Sequence, residues 1–255
     1  MNLTDTHSHI YLPQFDEDRD SVIERAMKNH VSKIYLPNID STTIKPMLQL
    51  AGAFPEHIFP LIGLHPTSVK ENFREELETI KKWLDKKLFH GVGEVGIDLY
   101  WDKSQKERQI IAFREQLIYS LEYKLPVIIH VRDSFDEIFM VLDEFSNKQL
   151  SGIFHSFTGN IVQAKKAIGA GFKIGINGIV TFKNSGLSEV VKKIELENIV
   201  LETDSPYLSP APKRGKRNES SYLIYIGEKL AEIFSTDLET VARITSQNAK
   251  QVFNN

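Results

Sequence analysis

Eight short runs rich in β-branched and aromatic residues recur along the 255-residue chain, separated by longer stretches of helical periodicity. This alternation limits the fold more than any other feature. The runs are LTDTH (3–7), KIYLP (33–37), IFPLIG (58–63), GVGEV (91–95), PVIIH (126–130), GIFH (152–155), FKIGI (172–176) and NIVLET (198–203). Stretches such as DRDSVIERAMKNH, REELETIKKWLDKK, KERQIIAFREQLIYSLEY and EIFMVLDEF lie between them, with apolar residues three and four apart. Repeated βα units build a parallel sheet covered by helices. Eight of them in this length predict one α/β domain over 1–255, a (β/α)₈ TIM barrel, for which about 250 residues is typical. An open doubly wound sheet is the alternative fold, but no Gly-x-Gly-x-x-Gly follows the first run.

The absence of cysteine excludes disulfides and thiolate metal sites, so a transition metal would have to be held by His, Asp and Glu. A formal net charge of −3 gives no general attraction to polyanions or anionic membranes; a nucleic acid would have to be met by a local patch. No secretory or membrane-spanning pattern is present, and a cytoplasmic monomer is the expectation.

The histidines and acids fall at the carboxyl ends of the predicted strands. His7 ends the first, with His9 just beyond; Glu94 lies on the fourth; His130 and His155 end the fifth and sixth; Asp204 follows the eighth. In a (β/α)₈ barrel that end builds the active site. Strand alternation points His7 and His9 to one side. A lone histidine at a strand end is more often a hydrogen-bonded structural residue, but five strands delivering such groups to one end favour a metal site. Mixed imidazole and carboxylate suits Zn²⁺, Mn²⁺, Co²⁺ or Ni²⁺, and six donor residues suit two ions better than one. Glu94, midway in the strand order, is the natural bridge. Such a pair of ions activates water and clamps the attacking and leaving oxygens.

With these residues goes a resemblance along the whole chain to the TatD family of metal-dependent deoxyribonucleases, a branch of the amidohydrolase superfamily of (β/α)₈ barrels. It is carried by TDTHSH (4–9), GLHP (63–66), GEVGID (93–98), HVRD (130–133), FHSFTGN (154–160), GIVTFKN (178–184) and ETDSPYLSPAPKRGKRNE (202–219). The resemblance implies that His7, His9, Glu94 and Asp204 hold one divalent ion and Glu94, His130 and His155 the other. Magnesium can support activity even where the nitrogen ligands prefer zinc, so it too is a candidate metal. The resemblance also implies phosphodiester hydrolysis of DNA, chiefly 3′ to 5′ exonuclease action at ends or single strands; a related branch removes D-amino acids from tRNA. NESS stands where the family often has NEP, and GIDLYW where it often has GLDYY.

Asp204 is the expected acceptor of the attacking water's proton, with Glu94 beside it in catalysis. His65 is a substrate contact in the family pattern, or a histidine capping the next turn. Lys213, Arg214, Lys216 and Arg217 form the one dense basic run, expected to contact substrate phosphates, although Arg217 and Asn218 could brace the loop instead. Arg132 and Asp133 are candidates to orient ligands or to form a helix-cap ion pair. Tyr11, Tyr100, Trp101 and Tyr207 are candidates for base stacking or for packing.

Overall fold

The computed structural model describes residues 1–254 and forms all eight expected strands. They are β1 (Leu3–Asp5), β2 (Val31–Pro37), β3 (Ile58–Leu61), β4 (Val92–Asp98), β5 (Val127–Arg132), β6 (Gly152–Phe154), β7 (Phe172–Ile176) and β8 (Ile199–Leu201). The α-helices are α1 (Arg19–Lys28), α2 (Ile44–Ala53), α3 (Phe73–Leu84), α4 (Lys106–Tyr123), α5 (Phe135–Asp143), α6 (Ile161–Gly169), α7 (Leu187–Val191), α8 (Leu223–Phe234) and α9 (Leu238–Phe253).

Every strand pairing is parallel, in the order β1-β2-β3 and β4-β5-β6-β7-β8. Single bridges join the two arcs at both seams. Ile62 pairs with Val92 and Ser8 with Ser205; the Ile62 amide donates to the Gly91 carbonyl and the Thr6 amide to that of Leu201, each at 3.0 Å. The chain is a (β/α)₈ barrel.

Local sequence explains the helices. In α3, Phe73, Leu77, Ile80 and Leu84 are buried, and their spacing makes one apolar stripe facing the strands. Helix α6 starts with a capping box in which Asn160 accepts from the amide of Gln163 and Gln163 answers the amide of Asn160.

The barrel interior is layered. A cluster of Tyr35, Leu61, Ile128, Ile153 and Val200 is completed by Ala249, Val252 and Phe253 of α9, with the Tyr35 and Phe253 rings stacked at 3.7 Å. Period-two alternation then puts His130 two residues above Ile128, His155 two above Ile153, and Glu202 and Asp204 above Val200. Leu61 leads likewise to His65 through Gly63. The apolar floor and the polar mouth are successive layers of the same strands.

Several strand ends differ from expectation: β3, β6 and β8 stop at Leu61, Phe154 and Leu201, so His155 lies just past β6, and β5 runs on past His130 to Arg132; the ends of β1 and β4 differ as well. β1 stops at Asp5 because the amides beyond it bond singly to both neighbouring strands, Ser8 to the Tyr35 carbonyl at 3.1 Å and His9 to that of Ser205 at 2.7 Å. His7 and His9 thus sit just past the strand. β4 runs on to Asp98, so Glu94 projects from mid-strand rather than from its end. Gly96 permits this continuation: its φ is 143°, and a Cβ there would lie 2.0 Å from the His130 carbonyl oxygen. No helix among the described residues is long and apolar enough to cross a membrane.

Candidate metal centre

The six residues expected as ligands meet at the mouth, organised around the two oxygens of Glu94. Oε2 lies 3.1 Å from His7 Nε2 and 3.6 Å from His9 Nε2. Oε1 lies 2.7 Å from His130 Nδ1, 3.7 Å from His155 Nε2 and 3.4 Å from His65 Nε2. Asp204 spans the same divide, with Oδ1 3.8 Å from His7 and 3.6 Å from His9, and Oδ2 3.7 Å from His155. It adopts φ 57° just beyond β8, a backbone region few non-glycine residues occupy and one that collects at functional sites.

Further residues fix which nitrogen of each imidazole faces inward. Tyr11 is buried, and its hydroxyl donates to the Pro37 carbonyl at 2.7 Å, so it accepts from His9 Nδ1 at 3.0 Å. That bond leaves His9 Nε2 bare toward Glu94. Asp98 Oδ2 lies 3.0 Å from His130 Nε2 and turns Nδ1 inward. Glu202 Oε1 lies 3.0 Å from His155 Nδ1, off the line of a hydrogen bond and therefore a charge contact, while it accepts from the Ser156 amide at 2.6 Å. Gly175 makes room for it, since a Cβ there would come within 2.4 Å of Glu202 Oε2. Asp5, fully buried, accepts from the amides of His7 and Thr203 at 3.3 and 2.9 Å and ties β1 to the β8 end.

Charge follows this geometry. Burial, together with the neighbouring His155, pushes His7 well below the ordinary imidazole value and favours its neutral, ligating form. Burial opposes charge on His130 and His155 too, but the surrounding acids win. Hydrogen bonds to the Asp98 and Glu94 carboxylates raise His130 to about 9, and the charges of Glu202, Glu94 and Asp204 raise His155 to about 10. Burial would raise Glu94, yet His65, His7 and His155 hold it well below the carboxylate range. For Asp204 burial dominates and lifts the carboxyl to about 6.

The donor chemistry fits divalent cations. His7 and His155 stack face to face with ring centres 3.4 Å apart, and His7 Nδ1 is buried without a hydrogen-bond partner. Two sets of converging donors, His7, His9 and Glu94, and His7, His155 and Asp204, have ligand atoms within 4.8 Å of one another. A third joins His65 to Glu94 and His130. In that set His65 Nδ1 accepts from the Thr67 amide at 3.1 Å, which puts its proton on Nε2. His65 therefore caps its turn and also aims an N–H donor into the site.

The remaining candidates divide. Lys213 lies 5.2 Å over the Tyr222 ring and Arg214 4.4 Å over Phe182, neither with a carboxylate partner among the described residues, and Lys216 is exposed. Arg217, by contrast, donates to the Gln14 carbonyl at 2.6 Å and Asp18 at 2.8 Å and lies over Phe15, so it braces the loop. Asn218 braces it too, donating to the carbonyls of Thr203 and Tyr207 at 2.8 and 2.6 Å. Arg132 touches no ligand and forms no ion pair with Asp133; it lies on Tyr100. The side chains that contact the far nitrogens of the candidate ligands are instead Asp98, Glu202 and Tyr11. Asp98 and Glu202 were legible in principle, since each shares the inward parity of a ligand four or two residues away.

Converging imidazoles and carboxylates at the mouth of a (β/α)₈ barrel define a metal-dependent hydrolase, and the comparisons agree. The family described as TatD related DNase matches residues 4–254. The chain belongs to the TatD family. It is 38% identical over 252 residues, 98% of each chain, to a Bacillus subtilis protein described as the uncharacterized metal-dependent hydrolase YabD. It is 29% identical over 259 residues, 99% of this chain and 97% of the other, to the 3′-5′ ssDNA/RNA exonuclease TatD of Erwinia amylovora. The crystal structure of the TatD homolog YjjV from Escherichia coli superposes with a TM-score of 0.93 at 29% identity, covering 99% of this chain and 98% of that one.

Proposed function

We propose that this chain is a two-metal phosphodiesterase that removes nucleotides from the 3′ end of DNA. The observation that carries the two-ion reading is the division of imidazoles by Glu94, with His7 and His9 facing Oε2 and His130 and His155 facing Oε1. His7, His9, Glu94 and Asp204 would hold one ion, and Glu94, His130 and His155 the other. Zn²⁺, Mn²⁺, Co²⁺ and Ni²⁺ suit these donors, and Mg²⁺ can serve in assay. Bound there, divalent cations supply Lewis acidity, acidifying water and neutralising phosphate charge.

The chain's own groups do the rest. Asp204, lifted to about 6, is still largely ionised at neutral pH and accepts the attacking water's proton. His65 Nε2–H donates to a phosphate oxygen or to the leaving oxygen. Lys213, Arg214 and Lys216 contact the phosphates of the strand. The exonuclease name of the Erwinia relative and this basic loop support a nucleic-acid substrate.

The test is hydrolysis of 5′-labelled single-stranded DNA by metal-reconstituted protein, beside a D-aminoacyl-tRNA deacylation assay at equal enzyme and a count of bound metal. Stepwise shortening from the 3′ end with two ions per chain is the expected result. Intact DNA with a cleaved aminoacyl ester would move the substrate to the deacylase branch; one ion per chain would end the bridging role of Glu94.

A further inference from the structure

Above the metal centre, at the ends of β4 and β5, Tyr100 and Trp101 are 54% and 69% exposed. The Arg132 guanidinium lies 3.8 Å over the Tyr100 ring and 5.3 Å from that of Trp101, and the two rings meet edge to face at 4.9 Å. No carboxylate pairs with Arg132 among the described residues, so its charge faces solvent at the mouth. The cluster is tied to the centre through one side chain. Asp98 Oδ1 accepts from the amides of Tyr100 and Trp101 at 3.0 and 3.4 Å, while its Oδ2 lies 3.0 Å from His130. In the strand order β4 and β5 lie across the barrel from β8, whose loop carries Lys213 and Arg214.

We propose that Trp101, Tyr100 and Arg132 form the subsite for the terminal nucleotide, a deepening that rests on the phosphodiesterase reading above. Trp101 presents its exposed indole to the terminal base, and Arg132, held over the Tyr100 ring, donates to a phosphate oxygen. A strand bridging the mouth would meet cations at both rims, and at the β4–β5 rim the exposed Trp101 indole as well. Stacking tolerates every base because each has a π face, so this subsite selects for the presence of a base and not for its identity.

The test uses two single-stranded oligonucleotides identical except for the 3′-terminal residue, thymidine in one and an abasic tetrahydrofuran in the other. The metal-loaded wild type should favour the base-bearing strand in kcat/KM by roughly tenfold, the scale of one base–aromatic stack. Trp101→Ala should bring that ratio close to one, and Trp101→Phe should keep most of it. Arg132→Gln should lower both rates and leave the ratio standing. A Trp101→Ala ratio equal to that of the wild type overturns the proposal. If the wild type cuts neither strand, the phosphodiesterase reading fails separately and fluorescence decides the subsite. The chain has two tryptophans, so Trp83→Phe leaves Trp101 as the single reporter. Quenching by the base-bearing strand alone supports the subsite; equal quenching by both strands, or none, overturns it.

Discussion

The two ends of the barrel are built from the same strands and differ in what those strands leave unsatisfied. At the floor, Ile128, Ile153 and Val200 close against Val252 and Phe253 in an almost wholly apolar layer, to which Tyr35 adds a stacked ring. At the mouth, two residues higher on each strand, His130, His155 and Glu202 are crowded by like groups, and His7 Nδ1 and Glu202 Oε2 are buried without hydrogen-bond partners. Each such orphan costs on the order of 1–3 kcal/mol. The floor supplies stability that the mouth spends on converging donors. The difference teaches that function here is an increment of two residues along strands whose lower halves are ordinary core.

The largest expected effect is at the mouth. Asp204→Asn keeps nearly the same shape and removes the proposed proton acceptor, so kcat should fall by roughly 10²–10⁴ with metals loaded. In the metal-free protein the melting temperature should hold or rise, because burial no longer desolvates a charge at this position. Near wild-type turnover would remove Asp204 from this part. The mirror experiment is at the floor: Phe253→Ala should cost roughly 3–5 kcal/mol in urea unfolding, since it empties a stacked, buried position. Turnover per folded molecule should be unchanged at 25 °C. A parallel loss of kcat would show that the two layers are not separable.

The same division explains what the sequence revealed. The strands and long helices were legible because burial imposes periods of 2 and 3.6 along tens of residues, and α4, read as KERQIIAFREQLIYSLEY, has those bounds in the structure. The candidate ligands could be picked out because His7, His9, Glu94, His130, His155 and Asp204 interrupt apolar runs at a common level, and the structure brings all six together. Asp98 and Glu202 were not singled out, because an acid behind a ligand looks in sequence like any acid near a strand end. The fates of the basic residues were hidden for a similar reason. Whether Arg217 meets a phosphate or Asp18 depends on a pairing with a residue 199 positions away.

Those acids allow a finer cut within the mouth. Glu202→Gln and Asp98→Asn keep size and remove charge behind His155 and His130, and each should weaken metal affinity by roughly 10–100-fold in competition with a chelator. Tyr11→Phe, which deletes only the hydroxyl that holds His9, should fall at the low end of that range. Affinity unchanged in all three would mean that backbone placement alone orients the imidazoles.

The smallest effect separates two kinds of cation on one loop. Lys213 and Lys216 have no carboxylate partner among the described residues, whereas Arg217 is bound to Asp18. Replacing both lysines by glutamine should reduce the slope of log affinity for single-stranded DNA against log salt by about 1.4, at about 0.7 for each phosphate no longer neutralised. Arg217→Gln should leave that slope in place and loosen the loop against α1, read as faster proteolysis between Tyr207 and Asn218. The pH dependence has a definite sign. The hydrogen bond from Arg217 lowers the Asp18 carboxyl below its ordinary value, so the brace contributes fully above about pH 4 and is lost as pH falls through the lower folded value. Proteolysis of the wild-type loop should therefore accelerate only in acid, whereas the Arg217→Gln loop is cut quickly at neutral pH as well. A slope that drops equally for Arg217→Gln would return that residue to the phosphate-binding set and make the loop uniform.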